Sequence, residues 1–193
     1  MRVKRLNINS FRGIGEMTLD FSESEPTVFI GVNGVGKSSI LDSLAILLSW
    51  MLAPIQFDPN ARGSFMTKEN GTWTSKSQYE LAQGREFTQQ DIKNGAKKIG
   101  EEITLSIHSE EIKWSLPQTQ IKQNTDENTN FVNLEQFTQD IRTQLNTNHR
   151  TNRPLAVYYP INRFVLGIPL QIPANNHDLY NALLREQGLA TVT

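Results

Sequence analysis

Gly31-Val32-Asn33-Gly34-Val35-Gly36-Lys37-Ser38 fits the spacing G-x-x-x-x-G-K-[ST] at every fixed position. Glycines at 31, 34 and 36 permit backbone dihedrals closed to other residues and bring several N–H groups against a phosphate with no Cβ in the way. A helix starting at Lys37 adds its positive dipole end, and the Lys37 ammonium reaches toward the β- and γ-phosphates. The Ser38 hydroxyl supplies a ligand for Mg²⁺. The flanks agree with such a P-loop. Thr27-Val28-Phe29-Ile30 is short and apolar, as a strand buried on both faces would be. After the loop, Ile40, Leu41, Leu44, Ala45, Leu48, Met51 and Leu52 fall on one helical stripe that Pro54 stops. Strand, glycine loop and helix in this order predict binding of a nucleoside triphosphate, ATP with Mg²⁺.

Working outward, Leu6 and Ile8, then Met17, Leu19 and Phe21, alternate with polar residues around the turn Phe11-Arg12-Gly13-Ile14-Gly15, which predicts two half-buried strands. Ile103, Leu105 and Ile107, followed by Ile112, Trp114 and Leu116, predict a second β-hairpin turning near Ser109-Glu110-Glu111. Phe131, Leu134, Phe137, Ile141 and Leu145 recur at three and four residues on an amphipathic helix. Residues 154–160 read as another buried strand and residues 178–186 as a helix. Residues 55–86 hold no lasting period and are expected to form a mobile insertion, with a polar loop over 118–130. The prediction is an α/β P-loop NTPase fold over residues 1–193, a single ATP-binding domain with a flanking antiparallel sheet built from both hairpins.

At 193 residues, 37% apolar and 20% charged, the chain suits one globular unit. A net charge of −1 gives no global attraction to nucleic acid or to a membrane surface. Arg2, Lys4, Arg5 and Arg12 do cluster at the N-terminus; DNA-phosphate contact is one reading, and a solvated edge strand protected by charge is the preferred one. The absence of cysteine excludes disulfides and thiolate metal sites. His108, His149 and His177 have no ligand spacing and suggest neither a metal site nor a triad. The N-terminus carries no apolar signal region, and the longest apolar stretch, residues 40–53, is interrupted by Asp42, Ser43 and Ser49 short of a membrane span. A cytoplasmic protein without a membrane partner is expected.

Asn9-Ser10-Phe11-Arg12-Gly13 ahead of a strand, then Phe29-Ile30 and the run from Gly31 through Ser38-Ser39-Ile40-Leu41-Asp42, resembles the N-terminal half of the SMC/RecF/OLD class of ABC-type ATPases. Leu155-Ala156-Val157-Tyr158-Tyr159-Pro160-Ile161-Asn162-Arg163 resembles more narrowly the AAA-annotated ATPases of bacterial anti-phage systems, of the Septu and retron-associated PtuA type. The resemblance implies that Arg12 approaches the nucleotide, with an exposed turn arginine as the alternative. It places Asn33 near the γ-phosphate, within a contact set that also takes in Gly34, Val35, Gly36, Lys37, Ser38 and Ser39. It puts Asn162 where a Q-loop amide stands, although no Gln follows the strand directly and a strand-end turn is the alternative. It further implies a homodimer through the nucleotide site and an effector nuclease subunit as partner.

ABC-type hydrolysis also needs a Walker B carboxylate pair after four apolar residues, a Leu-Ser-Gly-Gly-type signature and a switch His, and none follows residue 38. Without the acid that organises Mg²⁺ and the one that positions water, phosphoryl transfer lacks its main orienting groups. ATP binding with poor hydrolysis by this chain alone is therefore expected, with activity in a longer protein. The competing readings are a nucleotide-gated, non-hydrolysing scaffold that regulates an effector nuclease, a DNA-repair ATPase of the RecF/SMC type, and an unrelated P-loop kinase.

Overall fold

The computed structural model describes residues 1–58, 60, 62–69, 72–107, 110–119, 131–147 and 153–159. The chain divides into two compact units: Met1–Leu47 with Glu86–Glu135, and Leu48–Arg85 with Gln136–Thr193.

In the first unit, the period-2 segments pair as predicted. Strand β1 (Arg2–Asn9) lies antiparallel to β2 (Glu16–Asp20), with Leu6 opposite Leu19 and Ile8 opposite Met17. Strands β5 (Lys98–Ile107) and β6 (Glu110–Thr119) form the second hairpin, with Ile103 opposite Trp114 and Leu105 opposite Ile112. Both hairpins join in one four-stranded antiparallel sheet of order β2-β1-β5-β6. β1 is thus an interior strand, not the charged edge expected for it. One sheet face carries Leu6, Ile8, Ile99, Ile103, Leu105 and Trp114, all fully buried. The indole N–H of Trp114 donates to the Leu47 carbonyl at 3.2 Å, so its one polar atom is satisfied inside the core.

Helix α1 (Lys37–Gln56) starts where the sequence predicts and runs past the predicted stop, with Pro54 inside it. Proline removes one N–H donor, which costs little in the last turn, and the ladder resumes when Phe57 N–H donates to the Ala53 carbonyl at 2.9 Å. Burial of Ala53, Ile55 and Phe57 favours the continuation. The predicted single stripe is too narrow: Ile46, Leu47 and Ser49 are buried along with Ala45 and Leu48, whereas Leu41 is exposed. At 20 residues the helix is long and apolar enough to cross a membrane, contrary to the shorter stretch read from the sequence, but more than half of its most apolar window is buried in the protein. A core helix passes the same test of length and composition.

Two predicted strands do not form. Residues 27–30 have no strand partner among the described residues, and Val28 and Ile30 are 74% and 91% exposed. Residues 153–159 are likewise irregular, with Leu155, Val157 and Tyr159 exposed. An apolar run becomes a buried strand only when neighbouring strands complete its ladder, and none of the described strands lies beside either run. The helix expected over 178–186 lies outside the described residues.

In the second unit, the stretch over 55–86 that showed no period contains a hairpin of β3 (Ser64–Glu69) and β4 (Thr72–Ser77). Its strands are rich in Ser and Thr on both faces, so no apolar alternation betrays them; Thr67 sits opposite Thr74 with their hydroxyl oxygens 3.3 Å apart. The short helix α2 (Gln78–Leu81) is capped by Ser77, whose hydroxyl accepts from the Glu80 N–H while Glu80 accepts from the Ser77 N–H. Phe57, Leu81 and Ala82 form a small buried cluster. Helix α3 (Val132–Thr147), whose first four residues belong to the first unit, follows the predicted period, burying Leu134, Thr138 and Ile141.

Gly84 is fixed by a close approach. A Cβ there would stand 2.4 Å from two ring carbons of Trp50 and 2.6 Å from its backbone nitrogen. The adjoining backbone cannot easily move, because the Arg85 carbonyl accepts from the Trp50 indole N–H and the Arg85 N–H donates to the Ser49 hydroxyl. Gly84→Ala is expected to destabilise this unit by about 1–3 kcal/mol, read as a lowered denaturant midpoint. An unchanged midpoint would show that the loop shifts freely.

Candidate nucleotide-binding site

Residues 31–36 form an open loop whose conformation only glycine accommodates at two points. Gly34 has φ +84° and Gly36 φ +104°, and a Cβ on Gly36 would also press to 3.3 Å from the Ile14 side chain. Val32 and Val35 are exposed at 76% and 58%, and Asn33 and Gly34 are exposed with them. α1 begins directly after Gly36, with Ile40 N–H donating to the Gly36 carbonyl at 3.0 Å, so the first-turn N–H groups belong to Lys37, Ser38 and Ser39. The Lys37 ammonium reaches back across the loop and donates to the carbonyls of Gly31 at 2.7 Å and Val32 at 2.8 Å. A cation at the loop mouth, left-handed glycines and a helix N-terminus compose a cradle suited to polyphosphate.

Arg12 is half-buried in the turn and engaged by two carboxylates, so it is not the exposed turn arginine of the alternative reading. It sits at φ 49° in the β1–β2 turn, where its N–H donates to the Asp91 carbonyl at 2.6 Å. Its Nε donates to Asp91 at 2.8 Å and its Nη1 to Asp42 of α1 at 2.5 Å. The guanidinium lies 4.8 Å from the centre of the Phe11 ring, which in turn packs edge-on against Phe87. Burial works against the charge of Arg12, but hydrogen bonds to Asp91 and Asp42 hold its pKa above the usual value. Burial also opposes the charge of Asp91, yet donation from the Thr88 N–H, then from Arg12, holds its carboxyl below the usual range. The stability this aspartate contributes is present above the ordinary carboxylate range and is lost as the pH falls through its lowered pKa.

One residue of this cluster escaped the sequence reading. Glu101 follows the buried alternation of β5 between Ile99 and Ile103 and is 1% exposed. Its carboxyl accepts from the Ser43 hydroxyl of α1 through Oε2, while Oε1 has no hydrogen-bond partner. Burial pushes its pKa up to about 8; the Ser43 hydrogen bond pulls the other way, and Asp91 and Asp42 add to the rise. Between the ordinary glutamate range and about pH 8 the folded state keeps a proton that the unfolded chain has lost. The stability contributed by Glu101 is therefore greatest in acid and declines as the pH rises to about 8. The signal was a carboxylate in register with an apolar row, which period-2 counting would expose.

Neighbouring carboxylates are engaged in ion pairs. Asp42 and Asp91 hold Arg12, and Glu102 accepts from the Asn7 amide and pairs with Lys113. Two of the N-terminal cations are paired with acids: Lys4 with Glu111 and Glu23, and Arg5 with Asp20. Asn162 lies outside the described residues.

The loop and the helix behind it define a P-loop NTPase of the α/β class with a flanking antiparallel sheet. Residues 5–186 match the family described as an AAA domain (AAA_23), and the chain belongs to that family, a P-loop ATPase family. A stretch of 56 residues is 45% identical to the petrobactin import ATP-binding protein FpuD of Bacillus anthracis, covering 29% of this chain and 20% of that protein. The match thus spans about a fifth of the length of that curated relative. The family match makes this a P-loop domain of ATPase type.

Proposed function

We propose that the chain binds ATP with Mg²⁺ at residues 31–39, as the N-terminal part of an SMC/RecF/OLD-like ATPase. The observation that carries this reading is the Lys37 ammonium bridging the mouth of a loop held open by left-handed Gly34 and Gly36. The loop carbonyls only hold the ammonium in place; turned outward by a rotation of its flexible side chain, it would meet phosphate oxygens. The N–H groups of Gly34, Val35, Gly36 and Lys37, with those of Ser38 and Ser39, would donate to phosphate, and Asn33 would stand beside the terminal one. The Ser38 hydroxyl is the ligand for Mg²⁺, which supplies charge neutralisation at the phosphates when bound. Arg12 would approach the nucleotide as the resemblance implies while positioning α1 through Asp42. The role of Asn162 rests on the resemblance alone.

Hydrolysis in this reading needs a further segment that carries the Walker B acids. Engagement of Asp42, Asp91 and Glu102 in ion pairs favours binding without turnover by this chain alone, which also supports the reading of a nucleotide-gated scaffold. A homodimer across the nucleotide site and an effector nuclease in anti-phage defence, both from the resemblance, complete the proposal, with the cytoplasmic setting expected from the N-terminal sequence. The import function in the name of the Bacillus anthracis relative is not carried over, since the match covers 20% of that protein. DNA contact gains little support from cations already paired with acids.

Calorimetric titration of the chain with Mg-ATP tests the central claim. Saturable binding to one site, with a dissociation constant in the range of about 1 μM to 1 mM, is expected, weakened when EDTA removes Mg²⁺. No saturable binding at millimolar nucleotide would overturn it.

A further inference from the structure

Among the described residues of the first unit, Glu101 is the one buried ionisable group that the nucleotide reading leaves without a task. Its carboxyl rests on Ser43, six residues beyond Lys37 in α1 and thus about 9 Å farther along the helix. The groups that face it are Ser43 and Asp42 from α1, Arg12 from the β1–β2 turn and Asp91 from the turn Gln89–Asp91. Its neighbours in the sheet, Ile8 on β1 and Leu116 on β6, bring no charge. Arg12 already serves two carboxylates, so an ionised Glu101, itself 1% exposed, would make a third around one guanidinium.

We propose that Glu101 is a positioning residue for the nucleotide loop: while its carboxyl is neutral it leaves Arg12 to Asp42 and Asp91, and on ionising it loosens the loop's hold on nucleotide. The inference rests on ATP binding at residues 31–39. Two physical effects act in the same direction. An ionised Glu101 competes for Arg12 and so disturbs the Asp42 anchor of α1. A polyanionic nucleotide at the start of the same helix raises the local negative potential and favours the neutral carboxyl; by linkage, the neutral carboxyl favours nucleotide. The elevated pKa of about 8 puts this change at the edge of the physiological range.

The test measures Mg-ATP affinity at constant ionic strength, from about pH 7 to about pH 9.5, for the wild-type chain, Glu101→Gln and Ser43→Ala. Wild-type affinity is expected to fall about tenfold across this range, while Glu101→Gln, whatever its level, changes by less than about threefold. Ser43→Ala should keep the fall and move its midpoint to higher pH, because the Ser43 hydrogen bond holds the Glu101 pKa down. A flat wild-type profile, or an equal fall in Glu101→Gln, overturns the proposal while leaving ATP binding intact. If Glu101→Gln does not fold, Ser43→Ala decides, and an unshifted midpoint overturns it. Failure of the wild type to bind ATP at any pH overturns the nucleotide reading and this proposal with it.

Discussion

Lys37→Ala is expected to lower ATP affinity by about 100-fold or more while the domain stays folded. The ammonium is the cation at the mouth of a loop whose other donors are neutral N–H groups, and two charge-assisted hydrogen bonds to phosphate contribute about 3–5 kcal/mol together. In the ligand-free protein the same ammonium donates to the Gly31 and Val32 carbonyls on an exposed loop, so its removal costs the fold little. Calorimetry on both proteins, with far-UV circular dichroism to confirm folding, reads the difference. Equal affinities in two folded proteins would refute the site.

Arg12→Ala is expected to cost about 2–4 kcal/mol of stability, because it removes the guanidinium that Asp42 and Asp91 share beside the buried Glu101. This reverses what a nucleotide ligand on an open turn would do, namely lower affinity and leave the ligand-free fold untouched. The side chain is 32% exposed, which places the expected loss below that of a fully buried pair. Arg12→Lys should recover less than half of the loss, since a single ammonium cannot replace the planar fork that spans both aspartates. Denaturant unfolding measures it, and a midpoint within about 0.5 kcal/mol of wild type would mean that these ion pairs are solvated and inert.

The two variants separate a local contribution from a distant one, and the same division governs what could be read before the fold was seen. The P-loop is contiguous: its glycines, its lysine and the helix start lie within nine residues, and each acts through its own backbone or the next turn. The two hairpins and α3 were legible for a similar reason, since burial of one face imposes a period of two or of 3.6 on neighbouring residues. The hairpin of β3 and β4 was not, because its Ser- and Thr-rich strands bury too little apolar surface to leave a period. Residues 27–30 show the limit from the other side: an apolar run states that a strand would be buried, but only a neighbouring strand can make it one. The cluster behind the loop was beyond local reading altogether. Arg12 meets Asp42 across 30 residues and Asp91 across 79, and Ser43 meets Glu101 across 58. Nothing in the charges themselves says which will be neighbours; the antiparallel register that turns Glu101 inward, and the turn that aims Arg12 at α1, decide it.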